Sequence, residues 1–158
     1  MINLQRITNC LLTTENQCLM LQKPSKGWWV APGGKMEQTE TIQEAAIREL
    51  KEETGLTVVK PELQAVTTMV ILDQNGGIQD EWMMFTFKAV RSTGELFEHS
   101  PEGKLQWQPI DAYKTLPMAD GDRFIFDHVF YGEGILYSTF YYNTEHQLLK
   151  SRRSAACE

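Results

Sequence analysis

Short apolar runs bounded by polar turns dominate the chain, and only two segments carry helical spacing. Gln5 to Thr13 reads as a strand, Glu15-Asn16 as a turn and Gln17 to Gln22 as the returning strand. Lys23 to Gly27 is a polar break before Trp28 to Ala31, a short apolar run that Pro32, Gly33 and Gly34 should end in a bend. Thr41-Ile42-Gln43-Glu44 has the form of a capping box and opens a helix expected to run to about Thr54, with Gly55 as its left-handed stop. Ala46, Ile47 and Leu50 lie within roughly 100° of one another on that helix and form its core-facing stripe.

Strand character then returns. Ala65 to Leu72 and Glu81 to Val90, rich in Val, Ile, Met and Phe, flank the turn sequence Asn75-Gly76-Gly77, and Leu105 to Pro109 forms a further short strand. Asp122 to Tyr131 reads as a second helix, made apolar by Phe124, Ile125, Phe126, Val129 and Phe130 and stopped by Gly132. Ile135 to Tyr142 is the last predicted strand. Beyond it the tail is mostly polar, and Ser151-Arg152-Arg153-Ser154 is expected to fray. With no internal repeat, linker or long block of like charge, residues 1–144 read as one domain and 145–158 as a polar tail. Helices and strands mixed without a βαβ rhythm predict an α+β domain built on a layered mixed sheet.

Composition narrows the function. The 158 residues are 42% hydrophobic and 23% charged, which suits one folded domain. A net charge of −6 repels polyanions, so no nucleic acid polymer is an expected partner, and a small anionic substrate requires a local cation. No run approaches the roughly 18 apolar residues of a membrane span, and Met1 to Cys10 lacks a basic region followed by an apolar one. The expectation is a soluble, cytoplasmic protein without a membrane partner. Cys10, Cys18 and Cys157 are odd in number and lack zinc-site spacing, so they read as free thiols in a reducing compartment. The apolar stretch Ile135 to Tyr142 suits either core or a dimer edge, which leaves monomer and homodimer open.

The candidate chemistry sits on the first helix. Glu49, Glu52 and Glu53 occupy positions i, i+3 and i+4, so three acids share one face in the half of the helix where the macrodipole disfavours anions. Two readings stand: a solvated acidic face partly neutralised by Arg48 and Lys51, or a site for a hard divalent cation, Mg²⁺ by default. The neighbouring Gly33-Gly34 allows close backbone approach, and a carbonyl there can add to an oxygen shell.

Gly34, Glu40 and Arg48-Glu49-Leu50-Lys51-Glu52-Glu53-Thr54-Gly55-Leu56 stand at the spacing of a complete 23-residue Nudix box. The resemblance implies a Nudix fold, a mixed β-sheet sandwiched between α-helices, and Mg²⁺-dependent hydrolysis, with Mn²⁺ as a possible substitute, of a nucleoside diphosphate linked to another group. It implies that Glu49, Glu52, Glu53 and the Gly34 carbonyl hold metal, that Arg48 orients a carboxylate, and that Glu49 or Glu53 positions or deprotonates water. Glu40 matches a position given both structural and basic roles. A further metal carboxylate from the later loop corresponds best to Glu102, with Glu95 and Glu98 as competitors.

Trp28-Trp29-Val30-Ala31-Pro32-Gly33-Gly34 and Leu116-Pro117-Met118-Ala119-Asp120-Gly121-Asp122 resemble MutT-like hydrolases of oxidised purine nucleotides. That likeness implies cleavage of a nucleoside triphosphate of the 8-oxo-dGTP type to monophosphate and pyrophosphate. Asp122, or else Asp120, would bond a purine edge, and Trp28 or Trp29 would stack on the base. The alternatives are that Asp122 is only a helix cap and the tryptophans are core. Val30 departs from the mammalian-type pattern, which places a base-reading Asn there. The competing classes are a Nudix hydrolase of another nucleoside diphosphate derivative and a non-catalytic nucleotide-sensing module, against which the intact set of box glutamates counts.

Overall fold

The computed structural model of the chain describes residues 4–155. Its elements in chain order are β1 (Gln5–Leu12), β2 (Gln17–Gln22), β3 (Trp29–Val30), β4 (Gly33–Lys35), α1 (Ile42–Thr54), β5 (Leu56–Val58) and β6 (Glu62–Leu72). They continue as β7 (Ile78–Ala89), β8 (Ser92–Gly94), β9 (Lys104–Pro109), a 3-10 turn at Ile110–Lys114, α2 (Asp120–Tyr131), β10 (Leu136–Tyr142) and β11 (Leu148–Ala155). The central sheet has the order β11-β10-β6-β7-β1-β4 and is mixed: β1 runs parallel to β7 and β10 parallel to β6, while the other neighbours are antiparallel. A three-stranded sheet β3-β2-β9 and a β5-β8 pair complete the strands.

Period-two alternation divides the core between the two faces of the central sheet. Cys10 and Leu12 of β1 and Phe87 and Ala89 of β7 bury with Ala46 and Leu50 of α1. Leu11, one step out of phase, buries on the other face with Met84, Phe140 and the α2 residues Ile125, Phe126 and Val129. The mixed sheet therefore lies between the two helices. Cys10 and Cys18 are buried free thiols, as small apolar residues would be, whereas Cys157 lies outside the described residues. Among the described residues no helix is long and apolar enough to cross a membrane.

Three expectations need correction. The expected bend forms at Pro32, where β3 gives way, but it does not extend over Gly33 and Gly34, which are strand residues paired with Asn9 and Thr8 of β1. The glycines serve close approach instead: a Cβ on Gly33 would lie 2.0 Å from the Thr8 carbonyl oxygen. Ser151-Arg152-Arg153-Ser154 does not fray, because Leu148–Ala155 forms β11 along β10, from Tyr142 opposite Leu148 to Leu136 opposite Ala155. Its polarity is that of an edge strand, with Lys150 Nζ 4.7 Å from the Tyr141 ring centroid and the Arg153 guanidinium 3.8 Å from that of Phe124 on α2. Finally, α2 begins at Asp120 with Ala119 as its cap, so Asp122 is inside the helix and is not the N-cap.

Truncation after Gln147 removes the β10–β11 ladder and should lower Tm by several degrees in a thermal melt. An unchanged Tm would mean that β11 adds nothing to the fold.

Candidate active site

The capping box forms as its sequence dictates. Thr41 Oγ1 accepts from the Glu44 N–H at 3.0 Å and Glu44 Oε1 accepts from the Thr41 N–H at 2.9 Å, which fixes where α1 starts and so which residues share its face. Gly55 ends the helix at φ +84°.

Arg48 organises the acidic cluster. Its guanidinium grips Glu40 through two bonds, Nε to Oε2 at 2.7 Å and Nη2 to Oε1 at 3.0 Å, and Nη1 donates to Glu49 Oε1 at 3.0 Å and Glu52 Oε2 at 3.2 Å. Nη2 also donates to the Lys35 carbonyl at 3.1 Å, so one side chain ties α1 to β4 and to the loop between them. Glu40 Oε1 accepts a further bond from the Glu37 N–H at 2.7 Å. The Arg48 hydrogen bonds and then the Glu37 N–H hold the Glu40 carboxyl down at about 2, far from the range of a proton acceptor at neutral pH, and the same pairing pushes Arg48 up. Glu40 thus stands as the anchor of Arg48.

Glu53 has a different environment. It is 3% exposed, its Oε2 accepts from the Gly33 N–H at 2.7 Å, and its Oε1 is buried with no hydrogen-bond partner among the described residues. Burial raises its carboxyl to about 7, reinforced by the charges of Glu49 and Glu102 and opposed by Lys23 and the Gly33 N–H. A buried carboxylate oxygen without a partner is costly unless a cation or proton meets it. Glu49 presses on the backbone beside it: a Cβ on Gly34 would lie 2.5 Å from Glu49 Oε2. Glu52 is more open, its side chain 57% exposed. Glu102, on the loop before β9, pairs with Lys23 Nζ at 3.8 Å with its side chain 55% exposed, and its link to the cluster is the effect of its charge on Glu53.

Among the described residues no three His, Cys, Asp or Glu side chains converge at metal-holding distance, because Glu49 and Glu52 turn to Arg48 as their counter-charge. The donor set nonetheless fits a hard divalent cation: it is all oxygen, it includes the orphaned Glu53 Oε1, and Gly34 leaves the backbone bare beside Glu49.

A second feature is a cavity of about 200 Å³ between the start of α2, the central sheet and the β10–β11 turn. Met69 and Ile71 of β6 and Trp82 and Met84 of β7 give it an apolar floor; Trp28, Asp122, Tyr142 and His146 stand around it. Burial pushes the Asp122 carboxyl up to about 6, and the Tyr142 hydroxyl, which accepts from the Gly121 N–H at 2.7 Å, is also pushed up by burial and by the Asp122 charge. Of the residues singled out for a base, Trp28 and Asp122 come together here and the others do not. Trp29 is core, 6% exposed, its backbone N–H bonded to the Pro117 carbonyl at 2.8 Å. Asp120 points outward, 61% exposed beside Arg123. Gly33 and Gly34 lie with the glutamates.

The sequence reading missed the floor of this cavity and its His146 rim. Met69 and Ile71, like Trp82 and Met84, are two apart and so share a face on each strand, which was legible. That the two pairs share one face follows only from the β6–β7 register, which sets Met69 opposite Trp82. His146 lay in the stretch read as a tail.

A NUDIX domain model matches residues 3–129. A Nudix hydrolase of Bacillus subtilis (strain 168), YvcI, is 49% identical over 152 residues, 96% of either chain. The human 8-oxo-dGDP phosphatase NUDT18 is 34% identical over 112 residues, which cover 66% of this chain and 32% of the human protein. The crystal structure of the mutator MutT protein from Bacillus halodurans superposes with a TM-score of 0.92 at 52% identity, covering 96% of this chain and 98% of that one. The glutamate-bearing helix, the layered mixed sheet and these likenesses along nearly the whole length agree: the chain belongs to the Nudix hydrolase family, whose members act on nucleotide substrates and generally use divalent metals.

Proposed function

We propose that this chain is a Mg²⁺-dependent nucleoside triphosphate diphosphatase that releases monophosphate and pyrophosphate, with an oxidised purine deoxynucleotide of the 8-oxo-dGTP type as its substrate. The orphaned Glu53 Oε1, buried beside an acidic helix face, carries the metal half of this reading. In our assignment Glu49, Glu52, Glu53 and the Gly34 carbonyl hold the ion, with Glu102 joining from its loop. Bound Mg²⁺, or Mn²⁺ in its place, supplies charge neutralisation on the phosphate oxygens and a water of lowered pKa.

The remaining work falls to the protein's own groups. Glu49 and Glu53 are the two carboxylates that orient or deprotonate the attacking water, and the Gly33 N–H keeps Glu53 in place through Oε2. Arg48 and Glu40 are positioning residues: their paired bonds hold the β4–α1 loop against the helix, so the glutamates meet the substrate in a fixed geometry. Trp28 offers a face for the base and Asp122 an acceptor for a purine N–H edge. Val30 has no side-chain polar atom, so Asp122 is the base reader in this scheme. A diphosphate substrate is the second reading, favoured by the name of the human relative, which specifies 8-oxo-dGDP.

A panel of 8-oxo-dGTP, dGTP, dATP, 8-oxo-dGDP and ADP-ribose, each with Mg²⁺ and with Mn²⁺, tests both readings through phosphate and pyrophosphate release. Pyrophosphate from 8-oxo-dGTP at the highest kcat/KM is expected; phosphate from 8-oxo-dGDP alone would favour the second. Glu53→Gln keeps the shape of the side chain and removes its charge, so kcat should fall by roughly 10²-fold or more while the protein stays folded. Full turnover in that variant would refute the metal assignment.

Asp122 gives a pH test. Its folded carboxyl holds a proton up to about 6 against an ordinary value of 3.8, so the native state binds more protons across that window and stability falls as pH rises through it. The groups facing it are Tyr142 across the cavity and His146 on the rim, with Asp120 on its own helix. Asp122→Asn should therefore raise Tm at pH 7.5, lose that advantage below about pH 4, and discriminate purines less well. Equal Tm at both pH values would contradict the buried-carboxyl assignment.

A further inference from the structure

The turn closing the last hairpin is built in a way its connecting role does not require. Asn143 organises it: its Oδ1 accepts from the N–H groups of Glu145 and Gln147, both at 2.9 Å, its Nδ2 donates to Gln147 Oε1 at 2.8 Å, and its backbone N–H donates to the Gln147 carbonyl at 3.0 Å. A further bond from the His146 N–H to the Asn143 carbonyl at 3.0 Å closes the loop. The result holds His146 at φ +64°, a left-handed conformation that glycine adopts freely and a histidine adopts at a cost.

That cost puts an imidazole on the rim of the cavity. The His146 ring meets the Trp28 ring edge to face, with centroids 6.1 Å apart and planes at 80°, and Lys26 Nζ stands 4.8 Å from the Trp28 centroid. Apart from that contact, His146 is an exposed residue. Beneath it lie the apolar floor and Asp122. A flat heterocycle with a polar edge satisfies all three surfaces at once: floor, carboxylate and aromatic rim.

We propose that His146 is a specificity-determining residue of this enzyme, the aromatic rim against which the substrate's base packs, so that the β10–β11 hairpin reads the nucleotide together with Trp28 and Asp122. The inference rests on the reading that the cavity receives the base. Backbone strain alone would mark only an irregular turn. Strain combined with an imidazole on the rim of a cavity that the Asp122 carboxylate also lines marks a binding wall.

Steady-state kinetics on 8-oxo-dGTP and dATP, with a thermal melt of each variant, test it in the full chain. His146→Gly relieves the left-handed strain, so Tm should stay level or rise, while KM for the preferred nucleotide rises about tenfold and kcat moves much less. His146→Phe, which keeps an aromatic face, should hold KM within about threefold of wild type. Glu145→Ala, on the same turn but outside the cavity, should leave KM unchanged. Trp28→Ala separates the two levels of the claim. If it raises KM and His146→Gly does not, the role of His146 is overturned and the base cavity stands. If neither changes KM in an enzyme that turns nucleotides over, the base does not sit in the cavity and both readings fall.

Discussion

One guanidinium holds the chemistry of this molecule in place. Glu40, Glu49 and Glu52 all bond Arg48, and without that positive centre the acidic face of α1 would repel itself against an unfavourable helix dipole. Arg48 suits the task where a lysine would not. Its planar fork binds Glu40 bidentately and still has donors left for two glutamates and for the Lys35 carbonyl. Glu53 alone escapes this neutralisation. Buried and, among the described residues, bonded only to the Gly33 N–H, it keeps one oxygen in reserve, and that reserve is what a divalent cation would use.

Backbone contacts as well as side chains set these groups in place. Gly33 lets β4 lie against β1 closely enough to place its N–H on Glu53, and Gly34 leaves room for Glu49. The Trp29–Pro117 backbone bond ties β3 to the segment that leads into α2, and with it to Asp122. In the proposed reading, phosphate chemistry and base recognition would draw on neighbouring stretches of one chain segment, 28–34, whose glycines and tryptophans serve different ends. The substrate reading joins these two halves: charge reversal at the glutamates, and a small apolar cavity with a single carboxylate at Asp122.

Much of this was legible in the residues themselves. The capping box, the left-handed stop at Gly55 and the i, i+3, i+4 glutamates are local features, and local geometry decided them. So too were β2, read with the bounds it has, and the turn between β6 and β7. What escaped depended on partners. Gly33-Gly34 looks like a breaker until β1 lies beside it; β5 and β8 are three residues each and exist only as a pair; β11 reads as a polar tail because an edge strand exposes its charges to water. The split between Trp28 and Trp29, and between Asp120 and Asp122, was beyond reach for the same reason. Trp28 and Trp29 are neighbours on an extended stretch and Asp120 and Asp122 lie about 200° apart around α2, so the members of each pair point different ways, and only the packed sheet and helix decide which one meets the cavity.

The metal assignment can be measured without reference to turnover. Calorimetric titration of the full chain with Mn²⁺ and with Mg²⁺, in wild type and in Glu53→Gln, reads uptake at the glutamate cluster directly. Saturable uptake by wild type, clearly weakened by the substitution in a protein that melts normally, is the expected result. No saturable uptake with nucleotide present or absent, or equal uptake by both proteins, would contradict it.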